Sequence, residues 1–330
     1  MVREIARGIY EIKIRLLGSP LKNLNSYVIS AGDRNLLVDT GFNQPTCLED
    51  LRGGIDELGL DMEKTDLFLT HFHADHCGLM SKIITPKSRV YMSRTDLALF
   101  PNSSGEHAAF WQELERTYAL EGFPEDAMPS VLMNNPAKEL LDRKPIDIIP
   151  LEDGEELRVG DRTWRCVLTP GHTPGHMCLY EEATKAMILG DHVLFDITPN
   201  ITVWSMLPNA LLRYIESLDK VENMDVRLPL PGHRDVSDKT FKQRISELKE
   251  HHSRRLDEVV GIVSAQPGLA GHDVAALMSW SIRAKNWQEF PPVQKWFAVG
   301  EALAHLDYLV EEGRIIRREQ PNACRAYYVK

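Results

Sequence analysis

The sequence predicts an α+β fold on three observations. Short strand-like runs bounded by Gly, Pro and Asp turns recur through the first two thirds of the chain; helical periodicities interleave with them; and after residue 237 the pattern changes to long helical stretches. At 330 residues the chain can hold a large core and a second small one. The change of character places the boundary, giving a domain over 1–237 and a smaller one over 238–330.

Strand-like alternation covers Gly8 to Leu16, Asn25 to Ser30 and Asn35 to Val38, an antiparallel meander. Cys47, Leu51, Ile55 and Leu58 fall at helical spacing, and the apolar run Leu67-Phe68-Leu69-Thr70 leads straight into a histidine cluster. From about 95 to 143 the pattern is helical and rich in large apolar groups, among them Leu97, Phe100, Phe110, Trp111, Leu114, Tyr118, Phe123, Met128 and Met133, which reads as an inserted helical cap. Strand signals resume at Ile146 to Ile149, Trp164 to Leu168, His176 to Tyr180 and Ala186 to Leu189. A helix near Asn209 to Val221 and a strand at Arg227 to Leu230 follow. The last part reads as helices over Ser237 to Gln266, Val274 to Ile282 and Pro292 to Glu312. Two short strands then flank a turn at Pro321-Asn322, a pattern that suggests a winged-helix module.

Composition narrows the function. Apolar residues make up 43% and charged residues 26%, as in ordinary globular proteins. No apolar run reaches the length of a signal peptide or membrane span, so a cytoplasmic location without membrane attachment is expected. The net charge of −10 argues against a protein built to grip nucleic acid, and the region from Asp238 onward, with 14 Lys and Arg against 12 Asp and Glu, reaches only +2. Five scattered cysteines without a CxxC pair read as reduced core thiols rather than a disulfide framework or a zinc knuckle.

The chemistry concentrates in Thr70-His71-Phe72-His73-Ala74-Asp75-His76-Cys77-Gly78. Packing three imidazoles and a carboxylate together without a cation leaves polar groups uncompensated, so the cluster reads as metal ligands. His71 and His73, two apart at a strand end, can reach one ion, and Asp75 and His76 in the following turn a second beside it. Three more strand ends supply partners. His172 in Thr169-Pro170-Gly171-His172-Thr173-Pro174-Gly175-His176 completes the first ion's set, and His176 is expected behind the ligands. Asp191, after Leu189-Gly190, can bridge, with His192 turned away. His233 in Pro231-Gly232-His233 completes the second set. Such a donor set suits two divalent ions, zinc first, with iron or manganese as alternatives.

With these residues the chain resembles the metallo-β-lactamase superfamily, whose HxHxDH signature stands here as His71 to His76, over roughly residues 5 to 237. The resemblance implies a four-layer αββα sandwich with the metals at one edge. It also implies that Asp39-Thr40-Gly41 buttresses the metal loop. True β-lactamases of that superfamily carry Cys or Ser where Asp191 stands, so antibiotic hydrolysis is not expected. The tail resembles the winged-helix-like extension of lactamase-like protein 2 and of some thioesterases. A carboxylate-bridged pair of divalent ions makes hydroxide available near neutral pH. The expected activity is therefore hydrolysis of a carboxylic ester or thioester, or of a lactone, with Asp75 orienting the nucleophile and moving a proton. The expected substrate is a small molecule with an acyl or apolar part, selected by the cap and Trp204, and the expected assembly is a homodimer through the tail. The alternatives are a phosphodiesterase or endoribonuclease that presents Arg314, Arg317, Arg318 and Arg325 to phosphates, and a ligand-sensing DNA-binding protein.

Overall fold

A computed structural model describes residues 2–100, 106–127, 144–281, 284–320 and 324–330. The antiparallel meander is present and one strand longer than expected, as β1 (Val2–Ala6), β2 (Ile9–Arg15), β3 (Asn23–Ala31) and β4 (Arg34–Val38). Helix α1 (Pro45–Glu57) opens with proline at its first turn, where the missing N–H costs nothing, and buries Cys47, Leu51 and Ile55. Strand β5 (Thr65–Phe68) pairs parallel to β4 and ends at the histidine cluster, whose short helix α2 (Ala74–Cys77) is followed by α3 (Met80–Ile83). Strands β6 (Val90–Ser93) and β7 (Ile148–Leu151) complete a seven-stranded sheet in sequence order. Between them lie α4 (Arg94–Leu99) and α5 (Glu106–Leu120). The expected cap thus holds two helices, while Met128, Met133 and the Pro321-Asn322 turn lie outside the described residues.

The second sheet runs β12-β11-β10-β9-β8, from β8 (Glu156–Val159), β9 (Arg162–Leu168), β10 (Met177–Glu181), β11 (Ala186–Gly190) and β12 (Leu228–Pro231). Helix α6 (Ala210–Glu222) crosses over between the parallel strands β11 and β12. Alternation along the strands builds the layers. Tyr27, Ile29, Leu36, Val38 and Phe68 from the first sheet meet Cys166, Met177, Leu179 and Ile188 from the second in one core. Their neighbours Val28, Leu37 and Leu67 face the α1 side. Val167, Cys178, Met187 and Leu189 face α6 and the C-terminal helices. Three apolar cores between four layers make the expected αββα sandwich.

Beyond β12 come α7 (Phe241–Ala265), with a Thr240–Gln243 capping box, α8 (Gly271–Leu277), α9 (Pro292–Glu311) and a hairpin of β13 (Ile315–Glu319) and β14 (Arg325–Val329). These helices share one apolar core with α6 and the outer face of the second sheet. Among the described residues no helix is long and apolar enough to cross a membrane. Four of the five thiols are buried and none is in a disulfide.

The apolar stripe of the cap, with Trp111 and Tyr118, can select a substrate or, as such stripes more often do, pack on the body of the protein, and Tyr118 packs. Its ring is fully buried, stacks on Trp296 of α9 at 3.5 Å, and its hydroxyl donates to the Trp296 carbonyl. Trp111 packs on the same core. The apolar stripe of α5 therefore joins the cap to the C-terminal helices. Gly300 of α9 lies against this joint: a Cβ there would stand 2.1 Å from Thr202 Oγ1 and 2.4 Å from the Tyr118 hydroxyl. Gly300→Ala is expected to destabilise the protein by about 1–3 kcal/mol through overpacking, read as a lower urea midpoint with an unchanged m-value.

Candidate metal centre

The strand ends bring the seven expected residues to one edge of the sandwich. β5, β9, β11 and β12 release the chain into His71, His172, Asp191 and His233 respectively, each within three or four residues of the strand end. His71 and His73 lie in the bend between β5 and α2, and the single turn of α2 then swings Asp75 and His76 to the same side. Donor atoms lie within 4.8 Å of one another in each of three groups: His71, His73 and His172; His71, His76 and Asp191; and Asp75, His76 and His233. His73 Nδ1 is 3.0 Å from His172 Nε2, and His76 Nε2 is 3.3 Å from His233 Nε2. Asp191 faces both sides. Its Oδ2 is 3.6 Å from His172 Nε2, while its Oδ1 is 3.4 Å from His76 Nε2 and 3.3 Å from His233 Nε2.

Outward hydrogen bonds fix the imidazoles so that lone pairs point inward. Asp39 stands at the end of β4 in a left-handed conformation, φ 58°. Its carboxylate accepts from the Thr70 N–H at 2.9 Å and the Thr70 hydroxyl at 2.8 Å, and lies 2.7 Å from His76 Nδ1. Because the Thr70 proton goes to Asp39, its oxygen can only accept from His71 Nδ1, 3.0 Å away, which leaves the lone pair on His71 Nε2. His172 Nδ1 donates to the Asn200 carbonyl at 2.8 Å, and His233 Nδ1 to that of Asn23 at 2.7 Å. Thr40 accepts the Leu79 N–H and donates to the His76 carbonyl, so Asp39 and Thr40 do buttress the loop.

His71 Nε2 is buried without a hydrogen-bond partner, and Asp191 Oδ1 has only the ring nitrogens of His76 and His233 near it, at 3.4 and 3.3 Å. Unpartnered buried lone pairs are costly, and a cation satisfies them. Burial holds the imidazoles of His71, His73 and His172 below their ordinary pKa, His73 at about 3, so they stand neutral as ligands must. At His233 burial acts the same way, but the carboxylates of Asp191 and Asp75 outweigh it and raise the pKa to about 9; His76 is raised likewise beside Asp39, Asp191 and Asp75. Protons there stand in for the positive charge that the carboxylates demand. The donor set therefore fits two divalent cations.

His176 and His192 take the expected places behind the centre. His176 Nε2 accepts the Asp191 N–H at 3.1 Å and its Nδ1 lies 2.8 Å from the Thr169 hydroxyl, which orients the Asp191 backbone. His192 is fully buried against Tyr214. Two features escaped the sequence. Phe72, between His71 and His73, packs edge-on at 5.7 Å against Trp204, which as expected lies near the site, 6.3 Å from the His73 ring. Asp96, fully buried, bonds both ligand loops. Three of the tail arginines pair with carboxylates, Arg314 with Asp257 at 2.9 Å on the surface, Arg317 with Asp307 at 2.6 Å and Arg325 with the buried Glu121 at 3.2 Å, while Arg318 lies over the Tyr328 ring.

Known proteins are similar to this chain in sequence and fold. The chain is 28% identical over 224 residues to an atrochrysone carboxyl ACP thioesterase from Emericella nidulans; the match covers 68% of this chain and 55% of that protein. It thus spans little more than half the length of that relative. Over 99% of its length it superimposes on the whole of a metallo-beta-lactamase family protein from Thermus thermophilus, with a TM-score of 0.80 and 27% identity. Over its full length it matches 94% of a beta-lactamase domain protein from Burkholderia ambifaria, with a TM-score of 0.84 and 26% identity. Residues 288–328 match the metallo-beta-lactamase-like C-terminal domain. Residues 21–233, which hold all seven clustered side chains, match the metallo-beta-lactamase superfamily model, and the chain belongs to that superfamily.

Proposed function

We propose that the chain is a binuclear metal-dependent hydrolase of carboxylic thioesters, with esters and lactones as chemical cousins. His71, His73 and His172 would hold one divalent ion, Asp75, His76 and His233 the other, and Asp191 both. The observation that carries the reading is the division of the Asp191 oxygens between the two sets, beside an aromatic wall of Phe72 and Trp204. The ions, zinc in the first instance, supply Lewis-acid polarisation of an acyl oxygen and activation of water near neutral pH. The chain's own groups do the rest. Asp75 Oδ2, 3.3 Å from His233 Nε2, is the carboxylate placed to take a proton from attacking water and return it to the leaving group. Phe72 and Trp204 receive the apolar part of the acyl chain and keep water from that side. The name of the fungal relative supports a thioester substrate.

The alternative phosphodiesterase reading loses support because three of the four tail arginines proposed for phosphates are paired with carboxylates. We read the C-terminal region as winged-helix-like, with β13 and β14 as the wing, and assign it a supporting role. Asn200, whose carbonyl holds His172, also reaches Glu301 of α9 at 3.4 Å, so α9 stands directly behind the site.

Metal analysis of the purified protein, with a hydrolysis screen of acyl thioesters, lactones and bis(p-nitrophenyl) phosphate, tests the reading. Two ions per chain with thioester or lactone turnover is the expected result; turnover of the phosphodiester alone overturns the substrate assignment. Trp204→Ala is expected to raise KM for a long-chain acyl substrate by about 10- to 100-fold, since burying such a side chain contributes roughly 1.5–3 kcal/mol. The effect should shrink as the acyl chain shortens.

A further inference from the structure

We propose that Asp96 is a positioning residue for the ion held by His71, His73 and His172, and that it acts on this ion and not on its neighbour. The inference rests on the two-ion reading above. Asp96 lies in the first turn of α4, capped by the Ser93 hydroxyl at 3.1 Å, and its side chain is fully buried. One carboxylate oxygen accepts from the Thr173 hydroxyl at 2.6 Å and from the Phe72 N–H at 3.3 Å; the other accepts from the Gly175 N–H at 2.5 Å. Phe72 stands between His71 and His73, while Thr173 and Gly175 follow His172. A single carboxylate therefore ties the ligand loop of the first sheet to that of the second.

The loops it ties carry all three ligands of the first set, and the two rings it draws together, His73 and His172, approach to 3.0 Å. Of the second set, His76 is held by Asp39 and His233 by the Asn23 carbonyl, with no bond through Asp96 among those described. Asp39 reaches both sets, His76 directly and His71 through Thr70, whereas Asp96 bonds only the loops that flank the first. The contact at Asp96 is also sterically exacting. A Cβ on Gly175 would fall 2.3 Å from Ser93 Oγ and 2.4 Å from the Asp96 nitrogen, so the loop can approach only because the residue is glycine. A carboxylate without a bonded Lys or Arg among the described residues is expensive to bury, and three donors offset that expense only while both loops stay in place. An Asn would offer one acceptor oxygen and turn an amide N–H towards a donor.

Titration of the metal-stripped protein with Co(II), followed by visible absorption and calorimetry, tests the proposal without an activity assay. The wild-type chain is expected to take up two ions, and His172→Ala identifies the spectrum of the three-imidazole set. Asp96→Asn is expected to weaken that set by about 10- to 100-fold, the range for a partner behind a ligand, and to leave the other unchanged. Gly175→Ala and Thr173→Val are expected to act in the same direction, Thr173→Ser to retain wild-type affinity, and Asp39→Asn, behind both His76 and His71, to weaken both sets. If Asp96→Asn fails to fold, Gly175→Ala and the Thr173 pair decide. Equal weakening of both sets, or none, overturns the role of Asp96 and leaves the two-ion reading standing. A wild-type chain that binds no Co(II) overturns the two-ion reading itself, and the role of Asp96 with it.

Discussion

Asp75→Asn is expected to lower turnover of the preferred acyl substrate by about 100- to 10,000-fold, the span over which a positioned acid–base group contributes. KM should change little. The side chain is buried, with Oδ2 3.3 Å from His233 Nε2 and 3.9 Å from His76 Nε2, while the proposed acyl wall of Phe72 and Trp204 is a separate surface beside His73. Asn keeps the shape and one acceptor oxygen, so part of the metal affinity survives. It cannot take up a proton, so the chemical step fails. Parallel measurement of kcat, KM and metal content separates these effects: a loss in kcat larger than the loss of bound metal is the expected signature. Full activity in this variant would remove Asp75 from the reaction, and a loss that merely tracks metal content would reduce it to a ligand.

The sites most legible in the sequence are those where one short segment carries its own chemistry. His71 to His76 reads as metal ligands because four donors stand within six positions, and His172, Asp191 and His233 join that reading because each ends an apolar strand beside glycine. The side chains behind them were less visible for a physical reason. Asp96 is one acid in the first turn of a six-residue helix, where acids are common for the helix's own sake, and its partners lie 24, 77 and 79 residues away. The groups that orient His172 and His233 are main-chain carbonyls of Asn200 and Asn23, which no residue type announces. Among the strands, β1, β6 and β8 were missed. β6 is four residues buried on both faces, without the alternation that marks a half-exposed strand, and β8 is a four-residue edge. The role of Tyr118 stays open in the sequence because an apolar stripe on a helix looks the same whether it lines a pocket or packs on a neighbour. Here it packs on Trp296.

Asp191→Ala is expected to be the most damaging single change in the metal centre. Its two oxygens face different ligand sets, 3.6 Å from His172 Nε2 on one side and 3.3 Å from His233 Nε2 on the other, so its removal takes a donor from both. Uptake should fall from two ions to one or fewer. Loss of the several kcal/mol that a metal centre contributes to the transition state corresponds to at least about three orders of magnitude in rate. The stability readout is independent of any substrate. An ion at a thousandfold excess over its Kd stabilises the native state by about 4 kcal/mol, so the wild-type Tm should rise clearly on adding metal to stripped protein. In Asp191→Ala most of that rise should vanish while the stripped protein melts near the wild-type value. The reason is that the inter-sheet core of Phe68, Met177, Leu179 and Ile188 lies in the strands and is untouched by the change. Two ions bound with wild-type affinity in this variant would show that Asp191 does not bridge. A stripped variant that melts far below the stripped wild-type chain would instead mean that the carboxylate holds the strand ends together without metal.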